Sequence, residues 1–116
     1  MTDFYNGRIG FQTTTLTVAQ SAQTSDAIQL NGFGIVGVEM PSALTSTTMT
    51  FTGSQDGVTY SALYNTSGSQ LSVTVAASRI ILFTPGDLIG VNYIKLVMGT
   101  AEAAARSIKV ISRSFQ

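Results

Sequence analysis

Apolar and polar residues alternate with a period of two at several places in this chain, and no other feature constrains its fold as strongly. Met49 and Phe51 stand between threonines, and the stretches 71–75 and 94–98 repeat the alternation. Because successive side chains of a β-strand point to opposite faces, each stretch predicts a strand with one buried face. The chain is therefore expected to be built from strands.

Further candidate strands bring the expected total to eight or nine, and they are 11–18, 27–31, 34–40, 58–64, 79–83 and 107–115. A length of 116 residues suits one domain. We therefore predict an all-β fold, a single-domain β-sandwich or jelly roll of eight or nine antiparallel strands. Residues 1–10 are expected to form an extended N-terminal arm, and residues 11–116 the sandwich domain.

Turn residues separate several of these strands. Ser-Gln-Asp-Gly at 54–57 and Asn-Thr-Ser-Gly at 65–68 both favour turns closed by a side-chain oxygen, with glycine where φ is positive. They predict a three-stranded meander over 48–75. The run Ala-Glu-Ala-Ala-Ala-Arg at 101–106 is the helical signal, and it predicts a turn or two of helix between the last two strands.

The residues that most enzymes use for catalysis are missing. The chain contains no His and no Cys, which excludes Ser-His-Asp and Cys-His mechanisms, disulfides and the usual zinc sites. Its six Asp and Glu residues are scattered, without a pair spaced to share one strand face or helix face. We expect no enzymatic activity, no metal site and no cofactor.

The charge balance excludes other function classes. Six basic and six acidic residues cancel, so no net field attracts nucleic acid or an anionic membrane. No apolar run approaches the roughly 18 residues of a membrane span, and residues 1–12 lack the features of a leader, so cytoplasmic synthesis is expected. With only 10% charged residues, the surface lacks self-repulsion, which favours cover by a partner.

Two short motifs have competing interpretations. Residues 32–37 match the Gly-x-Gly-x-x-Gly pattern of dinucleotide-binding folds, but Pro41 follows soon after and no strand-helix-strand pattern surrounds it. We interpret these glycines as marking a bulged or closely packed strand. Asp56 with Gly57 could begin a calcium loop, but the ladder of further oxygen ligands is missing, and a turn is favoured.

Four tyrosines, Tyr5, Tyr60, Tyr64 and Tyr93, could offer stacking platforms to a sugar. Tyr60 and Tyr64 share a strand parity, and the favoured interpretation is that they cap the core with their hydroxyls at its edge. Sugar binding remains open at this point.

The N-terminal arm is unusually apolar for a segment without a strand pattern. The arm and the first residue of the first strand together contain five candidate partner-binding residues, which are Phe4, Tyr5, Arg8, Ile9 and Phe11. Either the arm folds back on its own sandwich, or it reaches to another chain, where aromatic anchors commonly dominate binding.

The basic residues of the last strand, Arg106, Lys109 and Arg113, form either a solvated face or a strip that pairs with acids on a neighbouring subunit.

Three stretches together suggest a family. Met-Thr-Phe-Thr-Gly-Ser-Gln-Asp-Gly-Val-Thr-Tyr-Ser-Ala-Leu-Tyr-Asn-Thr-Ser-Gly at 49–68 is followed by Ile-Lys-Leu-Val-Met-Gly-Thr at 94–100 and Ala-Ala-Arg-Ser-Ile-Lys-Val at 104–110. Across residues 27–115 the chain resembles small β-sandwich or jelly-roll proteins encoded among the head genes of tailed phages. Residues 1–10 have no counterpart in that resemblance.

The resemblance implies a capsid cement, or decoration, protein. Such a protein binds the outer surface of the virion, bridges neighbouring major capsid (coat) subunits and self-associates as a homo-dimer or homo-trimer, and it has no catalytic residues. One alternative is a carbohydrate- or receptor-binding module of a tail fibre or secreted enzyme. A further alternative is a tail-tube or head-completion protein.

Overall fold

Nine strands make up the ordered framework in a computed structural model of the chain, which describes residues 10–84, 88 and 90–114. The strands are β1 (Phe11–Val18), β2 (Thr24–Gln29), β3 (Phe33–Glu39), β4 (Thr48–Ser54), β5 (Ser61–Ala62), β6 (Ser72–Thr74), β7 (Ile80–Leu82), β8 (Tyr93–Met98) and β9 (Arg106–Ser114). All their pairings are antiparallel. The predicted all-β sandwich is confirmed.

The strands form two sheets. One has four strands in the order β1-β9-β3-β7, and the other has five, in the order β2-β8-β4-β5 with β6 also paired to β4. The long pairing of β1 with β9 runs without a register shift from Phe11 opposite Arg113 to Val18 opposite Arg106. The two sheets enclose the core between them.

The period-two alternation correctly predicted which side chains are buried. In β8, Ile94, Leu96 and Met98 are fully buried, and Lys95 between them is half-buried. Phe51 of β4 is also buried, and its ring meets that of Phe83 edge-on at 5.6 Å. Each large apolar side chain removed from water in this way contributes about 1.5–3 kcal/mol. The alternation therefore identified part of the core, although Leu71 and Val73 of the stretch 71–75 are only half-buried.

The glycine-rich stretch in β3 is a bulged, closely packed strand, as expected. The pairing of β3 with β9 shifts register between Ile35 and Gly37. A Cβ atom at Gly37 would lie 2.8 Å from the carbonyl oxygen of Ile81 in β7, closer than real side chains approach. Glycine at 37 lets β7 lie tightly against β3.

The predicted meander over 48–75 is wrong. Both β5 and β6 pair with the same edge of β4, β5 at Thr52 and Gly53 and β6 at 48–50. Between them, residues 64–70 form a small hairpin closed by a bridge between Tyr64 and Gln70. The chain leaves the edge of β4 at this hairpin and then returns to it, so β6 never becomes a neighbour of β5 along the sheet.

The predicted helix at 101–106 is also wrong. Residues 101–105 form an irregular connection, and Arg106 already belongs to β9. The backbone here bonds to a different connection, because Ser21 N–H donates to the Glu102 carbonyl at 2.8 Å and Glu102 N–H donates to the Ala22 carbonyl at 3.0 Å. These tertiary bonds take the place of helical ones.

The turn at 54–57 forms as predicted. Asp56 Oδ1 accepts hydrogen bonds from the N–H groups of Val58 at 2.8 Å and Thr59 at 2.9 Å, and Gly57 has a φ of +78°. Because these N–H groups are held in the turn, the strand expected over 58–64 shrinks to Ser61–Ala62. In the turn at 65–68, the side-chain oxygen of Asn65 likewise accepts hydrogen bonds from the N–H groups of Ser67 and Ser69.

Candidate interaction surface

The side of the four-stranded sheet that faces away from the core carries few charges and several exposed apolar groups. We call it the outer face, and it consists of Phe11, Thr13, Thr15 and Thr17 of β1, Ser107, Lys109, Ile111 and Arg113 of β9, Gly37 and Glu39 of β3, and Ile80 and Leu82 of β7. Leu82 and Ile80 are 76% and 58% exposed. Exposed apolar groups on one side of a sheet are typical of interaction sites.

An apolar row runs across this face. Thr13, Ile111, Gly37 and Leu82 follow one another in register on the four strands. The side chains of Leu82 and Ile111 close over Gly37, whose built Cβ would lie 3.2 Å and 3.7 Å from their nearest carbon atoms. The next row places Lys109 of β9 opposite Glu39 of β3. The outer face therefore has an apolar row flanked on one side by Lys109 and Glu39 and on the other by Arg113 with Phe11.

Phe11 is the one predicted partner-binding residue that the structure describes. It begins β1, is 68% exposed, and its ring lies under the Arg113 guanidinium, with 5.3 Å between the guanidinium carbon and the ring centroid. Phe4, Tyr5, Arg8 and Ile9 lie outside the described residues. Arg113 thus covers an aromatic ring, whereas Lys109 stays on the exposed part of the face.

The edge of β1 that faces away from β9 is partly protected. Asp26 of β2 accepts a hydrogen bond at 2.7 Å from the N–H of Thr17. Since backbone groups alternate between the two edges of a strand, Phe11, Thr13 and Thr15 direct their N–H and C=O groups to the same edge as Thr17. Within the part of the chain that the structure describes, no strand pairs with this edge.

Glu102 is the functional group that sequence reasoning missed. Its side chain is fully buried, and its two carboxylate oxygens accept hydrogen bonds from Thr45 N–H at 2.8 Å, Ser46 N–H at 3.0 Å, Ser46 Oγ at 2.6 Å and Arg106 Nε at 2.9 Å. Burial raises the pKa of Glu102, but these hydrogen bonds outweigh it and lower the pKa to about 2. The carboxylate is a fixed anion that joins the β3–β4 connection to the start of β9 at one end of the sandwich.

Asp56 is likewise committed to structure. Hydrogen bonds from the N–H groups of Thr59 and Val58 and from the Ser54 hydroxyl lower its pKa to about 2. A group that stays ionised well below neutral pH is a poor general acid or base. Neither carboxylate is suited to proton transfer, and across residues 10–84, 88 and 90–114 no cluster of three or more potential metal ligands occurs.

The tyrosines do not form the expected core cap. Tyr64 is 60% exposed, because it lies on the hairpin that projects from the edge of β4. Tyr60 is half-buried, and the Lys95 ammonium sits over its ring at 4.3 Å from the centroid. Tyr93 lies against Gly57, where a Cβ would meet its ring at 3.0 Å. Two of the three described rings are thus occupied by their own chain, which weakens the sugar-platform interpretation.

Neither of two cavities among the described residues provides a deep polar site. One cavity of about 180 Å³ opens at the sandwich edge between β6 and β7, and it is lined largely by apolar side chains that include Phe51, Val73 and Phe83. A shallower hollow of about 370 Å³ lies beside the 54–57 turn. Its polar groups already hold the loop, since Gln55 Nε2 donates to the Gly90 carbonyl at 2.8 Å and Asn92 Nδ2 donates to the Gln55 carbonyl at 3.1 Å.

Comparisons with known proteins identify the fold and leave the family open. No family model matches the chain, and no curated protein sequence matches it. The crystal structure of the SPBc2 prophage-derived protein YomS shares the fold, with a TM-score of 0.56 and 16% identity over 90% of this chain and 95% of that one. The two are all-β proteins of one architecture.

Two further structures align over nearly the whole chain at lower scores. A chain from Bacillus endospore appendages, described as disulfide-linked pili, has a TM-score of 0.47 and 17% identity, covering 98% of this chain and 96% of that one. A chain of the cyanophage Pam1 capsid asymmetric unit has a TM-score of 0.42 and 16% identity, covering 97% and 88%. Similarity at these scores carries no argument about function. Among the described residues, no helix is long and apolar enough to cross a membrane.

Proposed function

We propose that this chain is a non-enzymatic structural protein of a tailed-phage virion, which binds the outside of the assembled capsid and staples neighbouring coat subunits. The observation that carries the proposal is the outer face, where Leu82 and Ile80 remain 76% and 58% exposed beside an apolar row. A protein that acts by binding a partner needs an exposed surface of this kind. It does not need a general acid and a general base for catalysis. The fold shared with a prophage-derived protein supports a phage origin.

The major capsid protein is the proposed partner, and the virion exterior is the proposed location after synthesis in the host cytoplasm. Binding would cover the apolar row through Leu82 and Ile111, and each apolar Å² removed from water contributes about 25 cal/mol. Lys109 and Glu39, in register on the same face, would set the orientation on the coat. The arm residues Phe4, Tyr5, Arg8 and Ile9, together with Phe11, are proposed as additional anchors on the coat.

The test is to titrate the purified protein onto expanded capsids that lack it. We expect saturation at a fixed number of sites per capsid. Leu82→Lys should weaken binding about tenfold or more, because it places a charge in the apolar row. The matched control is Thr24→Lys, which adds the same charge to an exposed position on the other sheet and should bind like the wild type. Binding that never saturates, or equal binding by both variants, would overturn the proposal.

A separate variant tests whether the N-terminal arm contributes to capsid binding. Phe4→Ala combined with Tyr5→Ala should weaken capsid binding while leaving the unfolding temperature unchanged. If the double variant binds with wild-type affinity, the arm has no role at the coat. A glycan array tests the sugar-binding alternative. That alternative requires reproducible glycan hits for the wild type that are lost in Tyr64→Ala.

A further inference from the structure

The free edge of β1 lacks the features that usually prevent strand edges from pairing. Natural edges carry charges, prolines, bulges or a covering segment. The eight residues of β1, Phe-Gln-Thr-Thr-Thr-Leu-Thr-Val, include no charge and no proline, and their register with β9 is unbroken. Within the described chain, β2 lies against β1 and its Asp26 carboxylate accepts from the N–H of Thr17, but no strand pairs with this edge at Phe11, Thr13 or Thr15. The backbone groups of Phe11, Thr13 and Thr15 are left ready to pair.

We infer that this edge is a self-association site, at which β1 of one copy pairs antiparallel with β1 of a second copy. The partner is a second copy because the edge complements itself. With the two-fold axis at Thr13, the residue pairs are Thr13 with Thr13 and Phe11 with Thr15. Threonine pairs and aromatic–threonine pairs are favourable neighbours across strands, and no like charges meet. Asp26 at Thr17 limits the pairing to this segment.

The arrangement closes at two copies and joins their four-stranded sheets into one. Because paired residues on antiparallel strands point to the same side of a sheet, both outer faces lie on one side of the dimer. A dimer would then present two coat-binding faces to one capsid surface, and two linked sites hold more durably than one. The avidity argument rests on the proposed function, and the pairing itself narrows the homo-dimer or homo-trimer that the sequence resemblance implies to a dimer.

The experiment measures mass in solution without capsids, so it is independent of coat binding. Sedimentation equilibrium over micromolar to high micromolar concentrations should give a dimer for the wild type. Thr13→Lys and Thr13→Glu should each raise the dimer dissociation constant by about tenfold or more, because like charges then face each other on the axis. An equimolar mixture of the two variants should dimerise again, since Lys then faces Glu.

Two controls separate edge pairing from a general effect of charge or of misfolding. Ser107→Lys adds a charge to an exposed position of the outer face, on β9 and away from the proposed contact, and should dimerise like the wild type. Thr13→Pro removes an N–H that points away from β9, a place where edge strands tolerate proline, and should be a folded monomer by circular dichroism.

Three outcomes would overturn the inference. They are a wild type that stays monomeric or forms trimers, dimers that persist in both charged variants, and a mixture of the charged variants that stays monomeric. A monomer that still saturates capsid sites would remove this inference and leave the proposed function intact.

Discussion

Arg106 Nε donates to Glu102 Oε1 across 2.9 Å, and the carboxylate it meets is fully buried. The pair joins the start of β9 to the connection between β3 and β4, where Thr45 and Ser46 donate to the same carboxylate. The backbone of Glu102 is also bonded to the β1–β2 turn. Glu102 therefore joins three loops at one end of the sandwich, one of them through its backbone and not its side chain.

Replacing Glu102 should be among the most destabilising single changes outside the apolar core. Glu102→Ala leaves the N–H groups of Thr45 and Ser46 and the Arg106 Nε without their carboxylate acceptor, and we expect the free energy of unfolding to fall by about 2–5 kcal/mol. Urea denaturation measures the loss. Glu39→Ala, at an exposed position of β3, is the matched control and should change stability by less than about 0.5 kcal/mol. Equal losses for the two variants would contradict the role assigned to Glu102.

Stability should also depend on pH through the same carboxylate. The pKa of Glu102 falls from its ordinary 4.5 to about 2 in the folded chain. A lowered pKa stabilises the folded state above the unfolded value, so this contribution is complete above pH 4.5 and is lost as pH falls toward 2. Unfolding temperatures measured across that range should decline more steeply for the wild type than for Glu102→Gln. Parallel curves would show that Glu102 does not carry the acid sensitivity.

The sequence predicted those elements whose burial follows a simple period. β4, β6 and β8 were predicted from their regular alternation, whereas the predicted start of β2, residue 27, lies three residues after its observed start at Thr24, where the pairing with β8 is irregular. The Glu102 site could not be found in this way. Glu102 and Arg106 are spaced like partners on a helix, and the residues that actually hold the carboxylate, Thr45 and Ser46, are 57 and 56 positions away. Only the tertiary fold brings them together.

The turn at 54–57 should depend on the acceptor oxygen of Asp56 more than on its charge. Asp56→Asn keeps an oxygen that can bond Val58 and Thr59, whereas Asp56→Ala removes it. We expect urea midpoints in the order wild type, then Asn, then Ala, with the Ala variant less damaged than Glu102→Ala because the turn is exposed. A midpoint for Asp56→Ala equal to that of the wild type would show that the turn forms without this side chain.

The contact of β7 with β3 should tolerate no side chain at Gly37. Gly37→Ala would place its Cβ 2.8 Å from the Ile81 carbonyl, a backbone atom that cannot move without shifting β7, so we expect a loss of about 1–3 kcal/mol. Gly10→Ala is the matched control, because its Cβ would meet the Phe33 ring at an ordinary 3.8 Å. Urea denaturation should separate the two variants. Since Leu82 belongs to β7, Gly37→Ala should also weaken capsid binding, and a variant with wild-type stability and binding would show that β7 can move away from β3 at little cost.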